Sequence, residues 1–321
     1  MPDAPVVVVA SLNVDLTAVA ARIPGVGETI IGSAFATSRG GKGGNQAVSL
    51  ARLGVPTVPI ACVGDDDAGQ AYRDALAEEG MPTVHVRTVT GEPTGTALIT
   101  VSDAGENNIV VVPGANARLT AADADAAAGT LAAARVVLGQ LEVPVAATAR
   151  AFAIGRRSGA ITVLNPAPAG PDIAALLRDT DVLVPNEVEF AQLVGCDGSD
   201  DAALRRACAS LFAHGIRWMV VTLGERGLAL VGPDSLTRMP ALPVQAVDTT
   251  AAGDSFVAGL VSVLAERGDL ERETLLRACE RGTRVAARTV QRRGAQPSLP
   301  WAAELEDDLS ASPTERVVLQ R

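Results

Sequence analysis

Residues 247–268 read "VDTTAAGDSFVAGLVSVLAERG". From Gly253 onward, Phe256, Leu260, Val263 and Leu264 recur at helical spacing, so a helix starts here and buries that stripe. Ala251, Ala252 and Gly253 at its start are all small. The first N–H groups of a helix have no acceptor within it. With no bulky side chain in the way, an anion can approach them at the end of the helix dipole that favours negative charge. Asp254 lies in the same turn and, taken alone, reads as a capping carboxylate. A helix prepared in this way suits an open α/β sheet, where ligands bind beyond the carboxyl ends of the strands.

The rest of the chain has the alternation such a sheet needs. "VVVVA" (6–10), "VPIAC" (58–62), "RVVLG" (135–139), "ITVLN" (161–165), "DVLVPN" (181–186) and "WMVVTLG" (218–224) read as strands, and their unbroken apolar character implies burial on both faces. Between them, 66–79, 121–133, 145–157, 172–178 and 201–213 read as helices. The expected fold is therefore α/β: three layers, α/β/α, around a mostly parallel central sheet. Two stretches depart from this rhythm. Residues 13–38 and 94–112 alternate in the manner of antiparallel strands, with a turn-rich hairpin at 102–108, and read as a small β-layer projecting from the main sheet of one unit spanning 1–321. The chain is mainly helical after 252, and the charged tail "TERVVLQR" is expected to fray. Polar residues follow the strand runs at Asn13, Asp15, Glu142, Asn165, Asn186 and 222–227, which points to one continuous cleft; helix capping accounts for such residues taken singly.

Composition narrows the chemistry. The 321 residues carry 27 basic and 37 acidic side chains, a net charge of −10, and 2% aromatics, which argues against nucleic-acid partners. The cysteines at 62, 196, 208 and 279 form no C-x-x-C pair, and the two histidines (85 and 214) lie far from other catalytic candidates. Reduced thiols in a cytoplasmic protein are expected. The apolar run near the N-terminus is too short for a membrane span, so no membrane partner is expected.

The glycine-rich stretch "SRGGKGGNQAV" (38–48) does not have the spacing of a phosphate loop. A P-loop requires Ser or Thr after its lysine, and Gly43 follows Lys42. The dinucleotide pattern started at Gly41 requires a sixth-position glycine, and Gln46 stands there.

D-T-x-A-A-G-D-S-F at the head of the 252 helix resembles the ribokinase family of carbohydrate kinases (PfkB-type). "GGKGGNQA" (40–47), "GQLEVP" (139–144), "LNPAPA" (164–169), "VPNEVE" (184–189), "TLGERG" (222–227) and "RRGAQPSLPW" (292–301) follow the family's order, so the resemblance covers nearly the whole chain. It implies transfer of the γ-phosphoryl of ATP to the 5-hydroxyl of D-ribose, with deoxyribose, another sugar or a nucleoside as the alternative acceptor. It implies that Asp254 is the base, weakened by the helix N-terminus, with an anion hole at Ala251, Ala252 and Gly253. Asn13, Asp15, Glu142 and a loop of Gly41, Lys42, Gly43, Gly44 and Asn45 would surround the sugar. Asn186, Thr222, Leu223, Gly224, Glu225, Arg226 and Gly227 match nucleotide-binding positions. Glu189 completes an N-x-x-E pattern tied to Mg²⁺, although alone it reads equally as a solvated helix-face acid. Asp248, Thr250, Thr289, Arg292, Gly294 and Ser298 match positions that ligate K⁺. The resemblance also implies that the small β-sheet of 13–38 and 94–112 is a lid that closes over the sugar, and two lids are expected to pair in a homodimer. Departures from the pattern are Ala10 for a glycine, Val257 for an asparagine, and Gly282 or Thr283 where an adenine-side Asn or His is usual.

Overall fold

In a computed structural model, residues 4–170, 173–195, 200–306 and 317–319 of the chain are described. The strands in chain order are β1 (Val6–Val9), β2 (Asn13–Ala20), β3 (Ala34–Gly40), β4 (Thr57–Gly64), β5 (Val86–Val89), β6 (Gly95–Ser102), β7 (Asn107–Val112), β8 (Val136–Gly139), β9 (Ile161–Leu164), β10 (Val182–Leu183), β11 (Trp218–Thr222), β12 (Leu228–Gly232), β13 (Ser235–Met239) and β14 (Val317–Leu319). The helices are α1 (Lys42–Arg52), α2 (Asp67–Glu78), α3 (Ala121–Ala126), α4 (Ala128–Ala133), α5 (Val145–Arg157), α6 (Ala174–Leu177), α7 (Glu187–Val194), α8 (Asp201–Phe212), α9 (Ala252–Arg267), α10 (Arg272–Thr289) and α11 (Ala303–Glu306).

Ten strands form one sheet in the order β14-β13-β12-β11-β10-β9-β8-β1-β4-β5, and β3-β2-β6-β7 form a second. The large sheet is parallel from β5 to β11 and antiparallel beyond. β1 shows why the apolar runs lack alternation. Val6 and Val8 face one core with Leu50 of α1, Leu260 of α9 and Leu275 of α10, while Val7 and Val9 face another with Leu131 of α4 and Phe152 of α5. The sheet is thus the middle of three layers, as expected.

Five local readings need correction. The stretch 41–45, expected as a loop, is the start of α1, with Gly41 as its N-cap. Glycine disfavours helix by about 1 kcal/mol per residue, and close packing overrides that here. A Cβ on Gly43 would stand 2.4 Å from Ala10 Cα, and one on Gly44 would stand 2.1 Å from the Tyr72 hydroxyl. The glycines therefore bring α1 against the end of β1. In the small sheet, β2–β3 and β6–β7 are antiparallel but the central pair β2–β6 is parallel, and β3 runs on to Gly40. β12 and β13 form an antiparallel hairpin that the 228–239 stretch had not suggested. In the tail, Val317–Leu319 pairs with β13. The expected helix over 121–133 divides at Ala127. Cys196 and Asp172 lie outside the described residues. No helix among the described residues is long and apolar enough to cross a membrane.

Candidate active site

The chain leaves β1 through Ser11 and Leu12 and turns into β2, the first strand of the small sheet, so Asn13 and Asp15 sit where the two sheets meet. Asn116 fixes this corner. Its amide oxygen accepts from Leu12 N–H at 2.8 Å, and its Nδ2 donates to Asn13 Oδ1 at 2.8 Å. Asp15 is buried, yet its carboxylate has no hydrogen-bond or ion-pair partner among the described residues. Burial, then the charges of Glu142 and Asp254, raise its pKa to about 7. Gly40 clears space for it, since a Cβ there would lie 2.1 Å from Asp15 Oδ2. Glu142 accepts from the Ser11 hydroxyl at 2.7 Å and from Lys42 N–H at 2.9 Å, so it caps α1 as well as facing this corner.

Asp254 stands opposite. It is buried in the first turn of α9, where Asn45 Nδ2 donates to Oδ2 at 2.9 Å and Gln46 Nε2 donates to Oδ1 at 3.2 Å. The helix N-terminus was expected to hold this carboxyl low. Burial instead pushes its pKa up, against the charge of Lys42 and the bonds from Asn45 and Gln46. Desolvation outweighs the dipole because the group is buried. At the mouth of α9, Ala251 adopts left-handed backbone (φ 60°). Ala252 N–H is taken by the Thr249 carbonyl at 3.2 Å, while among the described residues no backbone carbonyl accepts from Gly253 or Asp254 N–H. Gly253 is exposed, and a Cβ on it would meet nothing within 4 Å. The anion-receptive groups are thus those of Gly253 and Asp254, beside the expected Ala251–Gly253 run.

A cleft of about 210 Å³ joins this mouth to the next strand ends, lined by Lys42, Asn165, Asn186, Glu189, Thr222 and Gly253 among others. Lys42, expected beside the sugar, turns its side chain to this end. Burial pulls its ammonium pKa down, and the carboxylates of Asp254, Glu142 and Glu189 more than offset that, leaving it raised. Asn186 and Glu189 form a reciprocal capping box on α7: Asn186 N–H donates to Glu189 Oε2 and Glu189 N–H to Asn186 Oδ1, both at 2.8 Å. Glu189 is not a solvated acid; it is 6% exposed, and burial raises its pKa despite the Asn186 bond and Lys42. A bridge between Asn186 and Thr222 holds the two strand ends together. From there Leu223 turns in, Gly224–Arg226 makes a 3₁₀ turn, Arg226 pairs with Glu187, and Gly227 has φ 84°. A Cβ on Gly227 would collide with the Met239 carbonyl, so this turn requires glycine.

The residues expected around a monovalent cation come from two segments that meet. Asp248 Oδ1 accepts from Thr250 N–H and hydroxyl at 2.9 and 2.6 Å, and Oδ2 accepts from Gly294 N–H at 2.8 Å. These bonds hold Asp248 below the usual carboxylate range against its burial. Thr289 O accepts from Arg292 N–H, Arg292 pairs with Glu304, and the Ser298 hydroxyl donates to Ala295 O. Among the described residues, no group of three or more His, Cys, Asp or Glu could hold a metal ion. A cation here would rely on backbone carbonyls and hydroxyls. Gly282 packs on Phe256 of α9, a Cβ there lying 2.7 Å from the Phe256 carbonyl, which accounts for that departure as helix packing.

Gln46, Gln140 and Asn116 were not expected at the site. The helical period from Lys42 places Asn45, Gln46 and Ser49 on adjoining faces, a signal hidden by reading 41–45 as a loop. Gln140 and Asn165 each follow a strand end.

A buried carboxylate, a cation and free N–H groups around one cleft suit phosphoryl transfer to an alcohol, because that reaction depends on positioning and charge stabilisation. The architecture is that of a small-molecule kinase. Residues 3–302 match the pfkB family carbohydrate kinase model, and the chain belongs to that family. It is 38% identical to the ribokinase of Mus musculus over 305 residues, 94% of each chain. It is 33% identical to the deoxyribokinase of Salmonella typhi, over 95% of this chain and 98% of the relative. A solved structure of Arabidopsis thaliana ribokinase complexed with ribose and ATP superposes with a TM-score of 0.87 at 31% identity, covering 96% of this chain and 99% of that one.

Proposed function

We propose that this carbohydrate kinase transfers the γ-phosphoryl of ATP to the 5-hydroxyl of D-ribose. The observation that carries this reading is a set of buried acceptors without donors at the corner of the two sheets. They are the Asp15 carboxylate and Asn45 Oδ1, which has no partner. Unpaired buried acceptors are costly, and the hydroxyls of a polyol are the donors they lack. Asn13 and Glu142 complete that wall, and the glycines 41, 43 and 44 hold α1 close enough for Asn45 to reach it. The 5-hydroxyl oxygen attacks the γ-phosphorus, its proton passes to Asp254, and the bond to the bridging oxygen breaks with its electron pair leaving on ADP. Lys42 and the N–H groups of Gly253 and Asp254, with Ala251 and Ala252 shaping the hole, hold the transferring charge.

Asn186, Thr222 and the turn from Leu223 to Gly227 hold the nucleotide. Glu189 fits a role towards Mg²⁺, because only its Oε2 is used by the capping box; the ion would neutralise phosphate charge. K⁺ fits beside Asp248, Thr250, Thr289, Arg292, Gly294 and Ser298, where it would set the loop leading into α9. We read 1–321 as one cytoplasmic kinase unit whose small sheet closes over the sugar and excludes water.

Deoxyribose is the second reading, favoured by the 33% identity to a deoxyribokinase. One lost hydroxyl contact changes specificity without changing the machinery. A panel of pentoses, deoxyribose, hexoses and nucleosides, run with and without K⁺, tests both points. Ribose is expected to give the highest kcat/KM and K⁺ to raise it; another preferred acceptor would displace the first reading. The lid also leaves Ile109, Val110, Val111 and Val112 of its edge strand exposed. An exposed apolar edge calls for cover, and a second lid is the expected cover; light scattering that finds a monomer at working concentration rejects the dimer.

A further inference from the structure

We propose that Gln46 is a positioning residue for phosphoryl transfer, holding Asp254 Oδ1 through an amide whose orientation is dictated by Asn165. The inference rests on the reading of Asp254 as the base. Gln46 is wholly buried and does not line the cleft. Its Nε2 donates both to Asp254 Oδ1 at 3.2 Å and to Asn165 Oδ1 at 3.0 Å, and its Oε1 accepts from Gln140 Nε2 at 2.5 Å.

An amide can present either end to a neighbour, and here the Asn165 end is fixed. Asn165 donates its own Nδ2 to the Val184 carbonyl at 2.9 Å, so its oxygen must face Gln46. The Gln46 oxygen then faces away from Asp254 and accepts from Gln140 Nε2. A flipped Gln46 would set oxygen against the oxygens of Asn165 and Asp254. Backbone Val184, acting through Asn165, thus ensures that Asp254 meets an N–H, and Gln140, whose Oε1 has no partner among the described residues, adds a donor to the Gln46 oxygen. Asn45 is not constrained in this way: its Nδ2 reaches Asp254 Oδ2, but its Oδ1 has no partner. One carboxylate oxygen is therefore held by a fixed donor, the other by an adaptable one. That leaves Oδ2 as the oxygen able to exchange its protein donor for the substrate hydroxyl.

Four charged groups also face Asp254: Lys42 of α1, Glu142 after β8, Glu189 of α7 and Asp15 of β2. Against three carboxylates, a neutral donor that cannot turn away favours the ionised base.

The test is steady-state kinetics of Gln46→Met and Gln140→Met on the full chain, with a pH profile and Asp254→Asn as reference. Gln46→Met is expected to lower kcat about 10–100-fold, the scale of a misplaced reacting group, with the sugar KM within about threefold. The acid limb of kcat/KM should move to higher pH, because the charged form of Asp254 loses a donor. Gln140→Met should move the same quantities less, and carries the test if Gln46→Met does not fold. In an Asp254→Asn background Gln46→Met should cost little more, since partners in one unit are not additive. An unchanged kcat and acid limb, or a raised KM with kcat intact, overturns the proposal. If Asp254→Asn itself stays fully active, the base assignment fails instead.

Discussion

Asp254→Asn is expected to lower kcat by about a thousandfold, within the range for loss of a general base, while sugar binding survives. The surroundings of the side chain explain why the variant should still fold. Its two oxygens accept from Asn45 Nδ2 and Gln46 Nε2. An asparagine keeps one oxygen, which the fixed Gln46 requires, and turns its NH₂ towards Asn45. Asn45 can then rotate its unpartnered Oδ1 into place. Removing a buried charge also relieves the desolvation that raises this carboxyl. Single-turnover phosphoryl transfer and sugar titration by calorimetry separate the two effects. Full turnover in the variant refutes the assigned base, and loss of sugar binding along with turnover would make Asp254 chiefly a sugar ligand.

Asp15→Asn is expected to make the sugar-free protein more stable at pH 8 while weakening sugar binding. Asp15 titrates at about 7 in the folded chain against an ordinary 3.8. A raised carboxyl pKa means that the folded state holds the proton more tightly. Its favourable contribution is full below about pH 3.8 and is lost as pH rises through 7. Above pH 7 the ionised group opposes folding by up to about 4 kcal/mol, at 1.36 kcal/mol per pKa unit. The asparagine variant removes this opposition, so the wild-type and variant melting curves should differ most at pH 8 and converge towards pH 4. Sugar affinity should fall about 10–100-fold, the scale of one charge-assisted hydrogen bond. A variant less stable than the wild type at pH 8 would mean that another group relieves the strain at this corner. Sugar should in turn stabilise the wild type more at high pH, because its hydroxyls give the ionised form its missing donors.

Much of the frame was legible in the sequence because burial on both faces leaves unbroken runs such as Val6–Val9, and the 252 helix announces itself by spacing. α1 was not legible. Its opening glycines argue against helix locally, and the reason for them, Ala10 and Tyr72, lies elsewhere in the chain. The balance at Asp254 was equally hidden, since a motif shows the dipole but not the degree of enclosure. Lys42 was placed in the cleft by its motif, but its direction depends on α1 being a helix. The N-x-x-E motif carried two meanings that did not conflict: Glu189 closes a capping box and still borders the cleft.

The bond from Asn45 to Asp254 joins residues 209 apart. The wall that receives the acceptor is therefore encoded in the first half of the chain, and the carboxylate and anion-receptive turn near its end. During synthesis β1 and α1 are made long before α9, whose Leu260 completes the core they share. Catalytic competence then arrives late and all at once, when 252–267 docks against α1.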